Sequence, residues 1–144
     1  MTGTDERPAI IERWHRLIAE RDMAALDAIL ADEVVFHSPV VHTPQAGKPL
    51  TRMYLQAAMH VLGNEHFRYV GEWYAPRGAV LEFRTRMDGI EIDGIDMISW
   101  NDEGRITEFK VMVRPLKAIN LLHELMRRML EAAQAGGSVS DGGS

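Results

Sequence analysis

The segment 93–106 most constrains the fold of this chain, because its pattern is typical of a strand, a tight turn and the start of a second strand. Side chains on a strand alternate between the two faces of a sheet, so Asp96 shares one face with Ile92, Ile98 and Trp100. A carboxyl group on an apolar face is either neutral and functional or badly placed, unless a cation or backbone group pairs with it. The sequence therefore predicts a sheet with one acid directed into its core.

Turn sequences divide the second half of the chain into predicted strands. Turns at 76–78, 88–89 and 102–104 separate strands expected at about 66–75, 79–87, 90–100 and 105–114. Within the second of these, Leu81 and Phe83 alternate with Glu82 and Arg84, which is typical of a sheet with one buried and one solvated face. We therefore expect an antiparallel meander.

Apolar residues at helical spacing predict three helices before the meander and one after it. The first follows Pro8, a short second helix follows Asp22, and the others span about 49–62 and 116–135. A short strand is expected at 34–38, followed by a loop. Helices on one face of an antiparallel sheet make an α+β fold, and a curved sheet closed by helices can contain a pocket.

Composition narrows the class of protein. The 144 residues carry a formal charge of −5 and no cysteine, which argues against a nucleic-acid surface and excludes disulfides and thiolate sites. We expect one domain over residues 8–135, a flexible N-terminus at 1–7 and a flexible tail at 136–144. No apolar run approaches ~20 residues, so we expect a cytoplasmic protein without membrane contact.

Three motifs have a recognisable order and spacing: Glu12-Arg13-Trp14 in the first helix, Phe36-His37-Ser38-Pro39 at the end of the first strand, and the segment 94–106. Together they resemble the nuclear transport factor 2-like superfamily, and within it the SnoaL-like and ketosteroid-isomerase-like branch. The resemblance covers roughly residues 8–114 and implies a cone-shaped fold. In such a fold a curved antiparallel sheet is wrapped by three N-terminal helices, to which this chain adds a C-terminal helix.

The resemblance also implies roles for particular residues. Ketosteroid isomerases use an Asp general base, a Tyr and a neutral Asp, and the last two form an oxyanion hole. Asp96 matches the neutral Asp, but the Tyr position holds Trp14 and the base position holds Ser38. Trp14 donates without ionising, and Ser38 cannot take a proton at neutral pH, so isomerase activity is not expected. Related cyclases and epoxide hydrolases carry a carboxylate where this chain has Arg114, or Val113 in a shifted register, so their chemistry is not expected either.

Asp96 and His37 are the candidate catalytic residues. Asp96 is expected to have a raised pKa and to donate a hydrogen bond to a substrate oxygen, unless an Arg or Lys of an adjoining strand pairs with it. His37 can act as a general acid or base, although strict alternation directs it away from Ser38 and toward the rim or surface. The residues expected to line the pocket are Trp14, Ser38, Tyr54, Phe83, Ile98, Phe109 and Val113.

Several functions remain open at this point. One is a cofactor-free acid–base enzyme (an isomerase, dehydratase or cyclase) that acts on an apolar carbonyl compound. Another is a non-catalytic protein that binds a small ligand, and a third is an interaction module with a filled cone. No metal is expected, because the histidines lack ligand spacing, and no cofactor motif is present. We also expect a homodimer through the outer face of the sheet.

Overall fold

The computed structural model describes the backbone of residues 6–142 and the side chains of residues 6–132. The elements in chain order are α1 (Ala9–Glu20), α2 (Leu26–Ile29), β1 (Leu30–His37), β2 (Gln45–Ala46), α3 (Lys48–Leu62), β3 (Arg68–Ala75), β4 (Gly78–Met87), β5 (Ile90–Trp100), β6 (Ile106–Arg114) and α4 (Leu116–Gly142). The helices cover a six-stranded curved sheet that does not close, so the predicted α+β fold is confirmed.

The sheet has the strand order β2-β1-β6-β5-β4-β3. Strands β3 to β6 form the predicted antiparallel meander. Strand β1, however, pairs in parallel with β6, so that Phe36 lies opposite Phe109 and the sheet is mixed rather than entirely antiparallel. Alternation within a strand shows which face is buried but not the direction of its neighbour, which explains why this pairing was not predicted.

Other differences concern the ends of elements. The loop predicted after the first strand contains β2, a two-residue strand that pairs with β1, and β1 begins at Leu30, four residues before the strand predicted at 34–38. Helix α4 continues to Gly142, past the end predicted at Ala135, and no proline interrupts this stretch. The predicted tail is therefore helical as far as Gly142, whereas residues 1–5 and 143–144 lie outside the described part of the chain.

Aromatic rings join the helices to the sheet. Trp14 of α1 packs against Phe109 of β6 with ring centroids 4.9 Å apart, and Phe36 stacks on Phe109 at 6.3 Å. Helix α4 adds Leu122 and Met126 to the same core. In the part of the chain that the structure describes, none of the helices combines the length and apolarity needed to span a membrane. The expected cytoplasmic location stays a prediction.

Candidate functional site

A cavity of about 280 Å³ lies between α1, α3 and the inner face of strands β3 to β6. Its walls are mostly apolar and are formed by Trp14, Ile18, Ala19, Leu55, Ala58, Met59, Leu62, Phe67, Phe83, Phe109 and Val111. The polar side chains in the lining belong to Arg21, Asn64, Tyr69 and Asp96. An apolar enclosure with a few polar groups is typical of a site for a small organic ligand.

Asp96 lies near the middle of the sheet. In the strand register it is flanked by Leu81 of β4 and Val111 of β6, and its residue surface is 6% exposed. Burial raises the pKa of Asp96 to about 7, and a hydrogen bond from Tyr69 offsets only part of that effect. Among residues 6–132, no cationic side chain forms an ion pair with Asp96, although the sequence allowed for one.

Tyr69 of β3 holds the Asp96 carboxyl group. Its hydroxyl donates to Asp96 Oδ2 at 2.6 Å and accepts a hydrogen bond from Trp14 Nε1 at 2.9 Å. Burial and the adjacent carboxyl raise the pKa of Tyr69 well above its ordinary value, so Tyr69 remains a donor. Within the described side chains, no group hydrogen-bonds to Asp96 Oδ1, and this oxygen is available to a ligand in the cavity.

Gly94 determines the position of the Phe83 ring in the cavity wall. The two residues are direct partners on β5 and β4, and a Cβ atom at position 94 would collide with the Phe83 ring and come within 2.8 Å of the Met112 carbonyl oxygen. Without that atom, the Phe83 ring lies against the backbone of β5 and stacks on Phe67, with ring centroids 5.2 Å apart.

The ends of α1 and α3 meet at the mouth of the cavity. Arg21, the residue after α1, has φ 53° and donates from its guanidinium to the carbonyl oxygen of Gly63, the residue after α3. Asn64 donates to the Arg86 carbonyl oxygen at 2.8 Å and accepts from Thr85 Oγ1 at 2.9 Å. These contacts join the rim of the cavity to both helices and to β4.

A second polar cluster lies on the other side of Tyr69. His15 of α1 packs edge-on against the Tyr69 ring, with centroids 5.0 Å apart, and its Nε2 lies 2.6 Å from Glu72 Oε2. Glu72 also pairs with Arg7 at 3.2 Å and accepts a hydrogen bond from the Tyr74 hydroxyl. Burial lowers the pKa of His15, and the charge of Glu72 opposes that effect.

The cavity brings together Trp14, Phe83, Asp96 and Phe109 from the set predicted by sequence. Ser38 and His37 are not among its lining residues. The Ser38 hydroxyl accepts hydrogen bonds from the backbone N–H groups of Val40 and Val41, and thus organises the loop after β1. His37 points to the other face of the strand, where its Nε2 lies 3.2 Å from Glu108 Oε2.

Three more predicted lining residues also lie elsewhere. Tyr54 stacks on Phe36 at 5.6 Å, Ile98 is fully enclosed in the core, and Val113 packs at the edge of that core. Arg114 pairs with Asp93 at 3.1 Å on the outer face of the sheet. The cavity is displaced toward β3 and the end of α3, which explains why residues on β1 and at the end of β6 do not reach it.

Tyr69 and Arg21 are the polar lining residues of most interest that the sequence interpretation missed. Tyr69 left a signal, because alternation places it on the same face of a predicted strand as Phe67. Arg21 left none, since the direction of a side chain after a helix depends on how that helix packs. Among the described residues, no three His, Asp or Glu side chains are grouped so that they could hold a metal ion.

Comparison with known proteins gives a consistent family. The model of the SnoaL-like domain matches residues 11–109. Among solved structures, a steroid delta-isomerase from Pseudomonas aeruginosa is 41% identical over 88% of this chain and 93% of that chain, with a TM-score of 0.84. No curated protein matches this chain.

More distant structures share the fold. An uncharacterised bacterial protein with a cystatin-like fold from Silicibacter pomeroyi is 27% identical over 85% of this chain and 86% of that chain, with a TM-score of 0.79. The epoxide hydrolase/cyclase-like enzyme SalBIII is 15% identical over 73% of this chain and 88% of its own, with a TM-score of 0.59, and shows the fold alone.

Proposed function

This chain belongs to the SnoaL-like domain family, and we propose that it binds an apolar carbonyl compound in the cavity and acts on it by cofactor-free acid–base chemistry at Asp96. The observation that carries the proposal is the position of Asp96, which is buried among apolar side chains with its pKa raised to about 7. A carboxyl group that changes protonation near neutral pH is suited to proton transfer and to hydrogen-bond donation.

The geometry divides the work between the two oxygens of Asp96. The Tyr69 hydroxyl donates to Oδ2, so in the protonated form of Asp96 the proton on Oδ1 can be donated to a ligand oxygen. A donor in a dry cavity stabilises the negative charge that develops on a carbonyl oxygen when the neighbouring carbon loses a proton. Ser38 lies outside the lining, so we assign acceptance of the carbon-bound proton to a water molecule that enters beside Arg21 and Asn64.

Isomerisation of an unsaturated ketone is the first reaction to test. The relative that is 41% identical is named a steroid delta-isomerase, which supports isomerisation among the reaction types left open by the sequence, even though Trp14 and Ser38 replace two of the residues that ketosteroid isomerases use. Dehydration and cyclisation use the same polarised carbonyl group, and the SalBIII likeness adds only that the fold accommodates such an enzyme.

Ligand binding without turnover is the second candidate function. It is favoured by the lining itself, because Asp96 supplies the one carboxyl group among the described lining residues and no histidine joins it. A binding protein needs only the cavity and a hydrogen bond from Asp96, whereas an enzyme also needs a proton acceptor.

The test compares wild type, Asp96→Asn and the exposed control Asp32→Asn. Thermal shifts are measured with steroids, polyketide-like aromatics, terpenoids and keto acids, and turnover of a β,γ-unsaturated ketone is followed by the absorbance of the conjugated product. Stabilisation that Asp96→Asn alters, together with turnover that it abolishes, supports the enzyme. Stabilisation without turnover supports the binding protein, and no response to any class favours an interaction module.

We also propose that the chain forms a homodimer through the outer face of the sheet. On that face Trp73, Val80 and Met97 are neighbours in the strand register, and so are Ile95 and Met112. Trp73 is 59% exposed and Met112 is 43% exposed. Light scattering of wild type and Met112→Lys tests this, and a monomeric wild type would contradict it.

A further inference from the structure

We propose that Arg21 anchors a carboxylate group of the ligand at the mouth of the cavity, so that the natural ligand is an apolar keto acid. Its carbonyl end reaches Asp96 and its acid end remains at Arg21. The carbonyl half of this assignment rests on the proposed function, whereas the carboxylate half rests on the surroundings of Arg21 alone.

The charges in the cavity lining give the ligand a direction. Among the described lining residues, Arg21 and Asp96 are the two whose side chains can carry a charge near neutral pH, and they occupy contrasting positions. Asp96 is 6% exposed at the sheet, whereas Arg21 is exposed at the rim. An anionic group beside Asp96 would face a second carboxyl group in an apolar enclosure, so a ligand carboxylate is favoured only at the Arg21 end.

The backbone at the end of α1 directs Arg21 over the mouth. Arg21 adopts a left-handed conformation, with its N–H donating to Ile18 O at 3.3 Å, while the N–H of Asp22 donates to Leu17 O at 3.1 Å. One guanidinium nitrogen donates to Gly63 O, which restrains the side chain across the gap between α1 and α3. The position of the cation is therefore set before any ligand arrives, which reduces the entropy lost on binding.

The guanidinium retains donors for a ligand. It carries five N–H groups in a planar fork that matches a carboxylate, and the bond to Gly63 O uses one of its nitrogens. Within residues 6–132, none of the acidic side chains lies within ion-pair distance of Arg21, whereas Arg7 and Arg52 have such partners. Some other arginines, such as Arg13 and Arg68, also lack an acidic partner, but they do not line the cavity. Arg21 is thus a restrained cation on a cavity rim that lacks a protein counterion.

A purely structural role for Arg21 makes a different prediction. The guanidinium lies at the C-terminus of α3, where a cation stabilises the last carbonyl groups and the helix dipole. If that were its whole role, removing Arg21 would reduce stability without changing which ligands bind. Ligand selectivity therefore separates the two roles.

The test uses benzoyl-terminated alkanoic acids of increasing chain length and their methyl esters as probes, with affinity measured by calorimetry. We expect wild type to prefer one acid over its ester by about three- to tenfold, as a partly exposed charge-assisted pair provides. Arg21→Gln should lose this preference because the acid binds more weakly, and Arg21→Lys should retain most of it. The control Arg16→Gln, in α1 and outside the cavity lining, should behave as wild type.

The outcomes distinguish this inference from the proposed function. Equal affinity for acid and ester in wild type, or an acid preference that persists in Arg21→Gln, would overturn the anchor and leave the role of Asp96 intact. An acid preference that depends on Arg21, together with affinities for acid and ester that Asp96→Asn leaves unchanged, would support the anchor and count against the proposed function. Failure of every probe to bind would overturn the keto acid assignment. The neutral compounds of the preceding screen would then test whether the cavity binds a ligand at all.

Discussion

Strand β3 presents two tyrosines to two carboxyl groups, and the surroundings of those carboxyl groups differ completely. Tyr69 donates to Asp96 inside the cavity, where the neighbouring side chains are apolar. Tyr74 donates to Glu72, which also pairs with Arg7 and His15. The comparison teaches that the same local hydrogen bond accompanies a carboxyl group of raised pKa where no cation is near, and a charged cluster where the Arg7 guanidinium pairs with the carboxylate.

The consequences of the two arrangements are opposite. At Asp96, burial without a cation raises the pKa to about 7, so this group changes protonation under physiological conditions. At Glu72, the Arg7 guanidinium compensates the half-buried charge, and the cluster ties the segment before α1 to β3. The Glu72 cluster is therefore expected to stabilise the fold, whereas Asp96 stabilises it only while it is protonated.

The largest expected effect follows from removing the titrating acid with Asp96→Asn. Folding raises the pKa of this group from 3.8 to about 7, so the folded state binds the proton more tightly and stability falls as pH rises through that range. The loss totals about 4 kcal/mol in wild type, at ~1.4 kcal/mol per pKa unit. Asp96→Asn has no such pH-dependent loss of stability, so it should be more stable than wild type above about pH 7, with little difference near pH 4.

Urea unfolding at both ends of this pH range measures the effect. Asp32→Asn, at a side chain that is 94% exposed, is the matched control and should follow the wild-type curve. Equal pH dependence of the free energy of unfolding in wild type and Asp96→Asn would show that Asp96 does not titrate with a raised pKa.

The next effect tests the hydrogen bond on Asp96. Tyr69→Phe removes a donor that lowers the pKa of Asp96, so this pKa should rise above its value of about 7. The change also leaves the Trp14 N–H without its acceptor, at a cost of about 1–3 kcal/mol. A carboxyl-carbon NMR titration measures the pKa, and Tyr74→Phe, which alters only the Glu72 side of the comparison, should leave it unchanged. A similar change of the Asp96 pKa in Tyr69→Phe and Tyr74→Phe would contradict a specific effect of the Tyr69 hydrogen bond on Asp96.

A smaller effect is expected in the charged cluster. Glu72→Gln removes the carboxylate from Arg7 and His15 and should lower the free energy of unfolding by about 1–2 kcal/mol, because the cluster is only partly exposed. Glu12→Gln, which breaks a more exposed pair with Arg7, should cost below about 1 kcal/mol. Chemical denaturation ranks the two variants, and the reverse order would mean that the Glu72 cluster does not stabilise the fold.

The smallest effect concerns His37, the second catalytic candidate from the sequence. Its contact with Glu108 lies away from the cavity, and Glu108 is 54% exposed. His37→Gln should therefore change stability by less than about 0.5 kcal/mol and leave ligand-induced thermal shifts as in wild type. Loss of the ligand-induced thermal shift in this variant would indicate that His37 contributes to ligand binding.

The order of helices and strands could be predicted because it depends on local patterns. Turn sequences near Asp88 and Gly104 and strict alternation along β5 are enough to place the meander and to direct Asp96 inward. Pairing between distant segments is different. The parallel contact of β1 with β6, and the two-residue strand β2, depend on how the chain returns after its helices, and no local pattern encodes that.

The candidate site shows the same division. Sequence alone identified Asp96 as an acid on an apolar face, together with Trp14, Phe83 and Phe109 as large side chains of the same core, because burial follows periodicity. Tertiary structure alone decided that Tyr69 donates to Asp96, that Ser38 and His37 lie elsewhere, and that Arg21 closes the rim. The physical reason is distance along the chain: alternation fixes a face within one strand, whereas a cavity and its pKa values arise where separate elements meet.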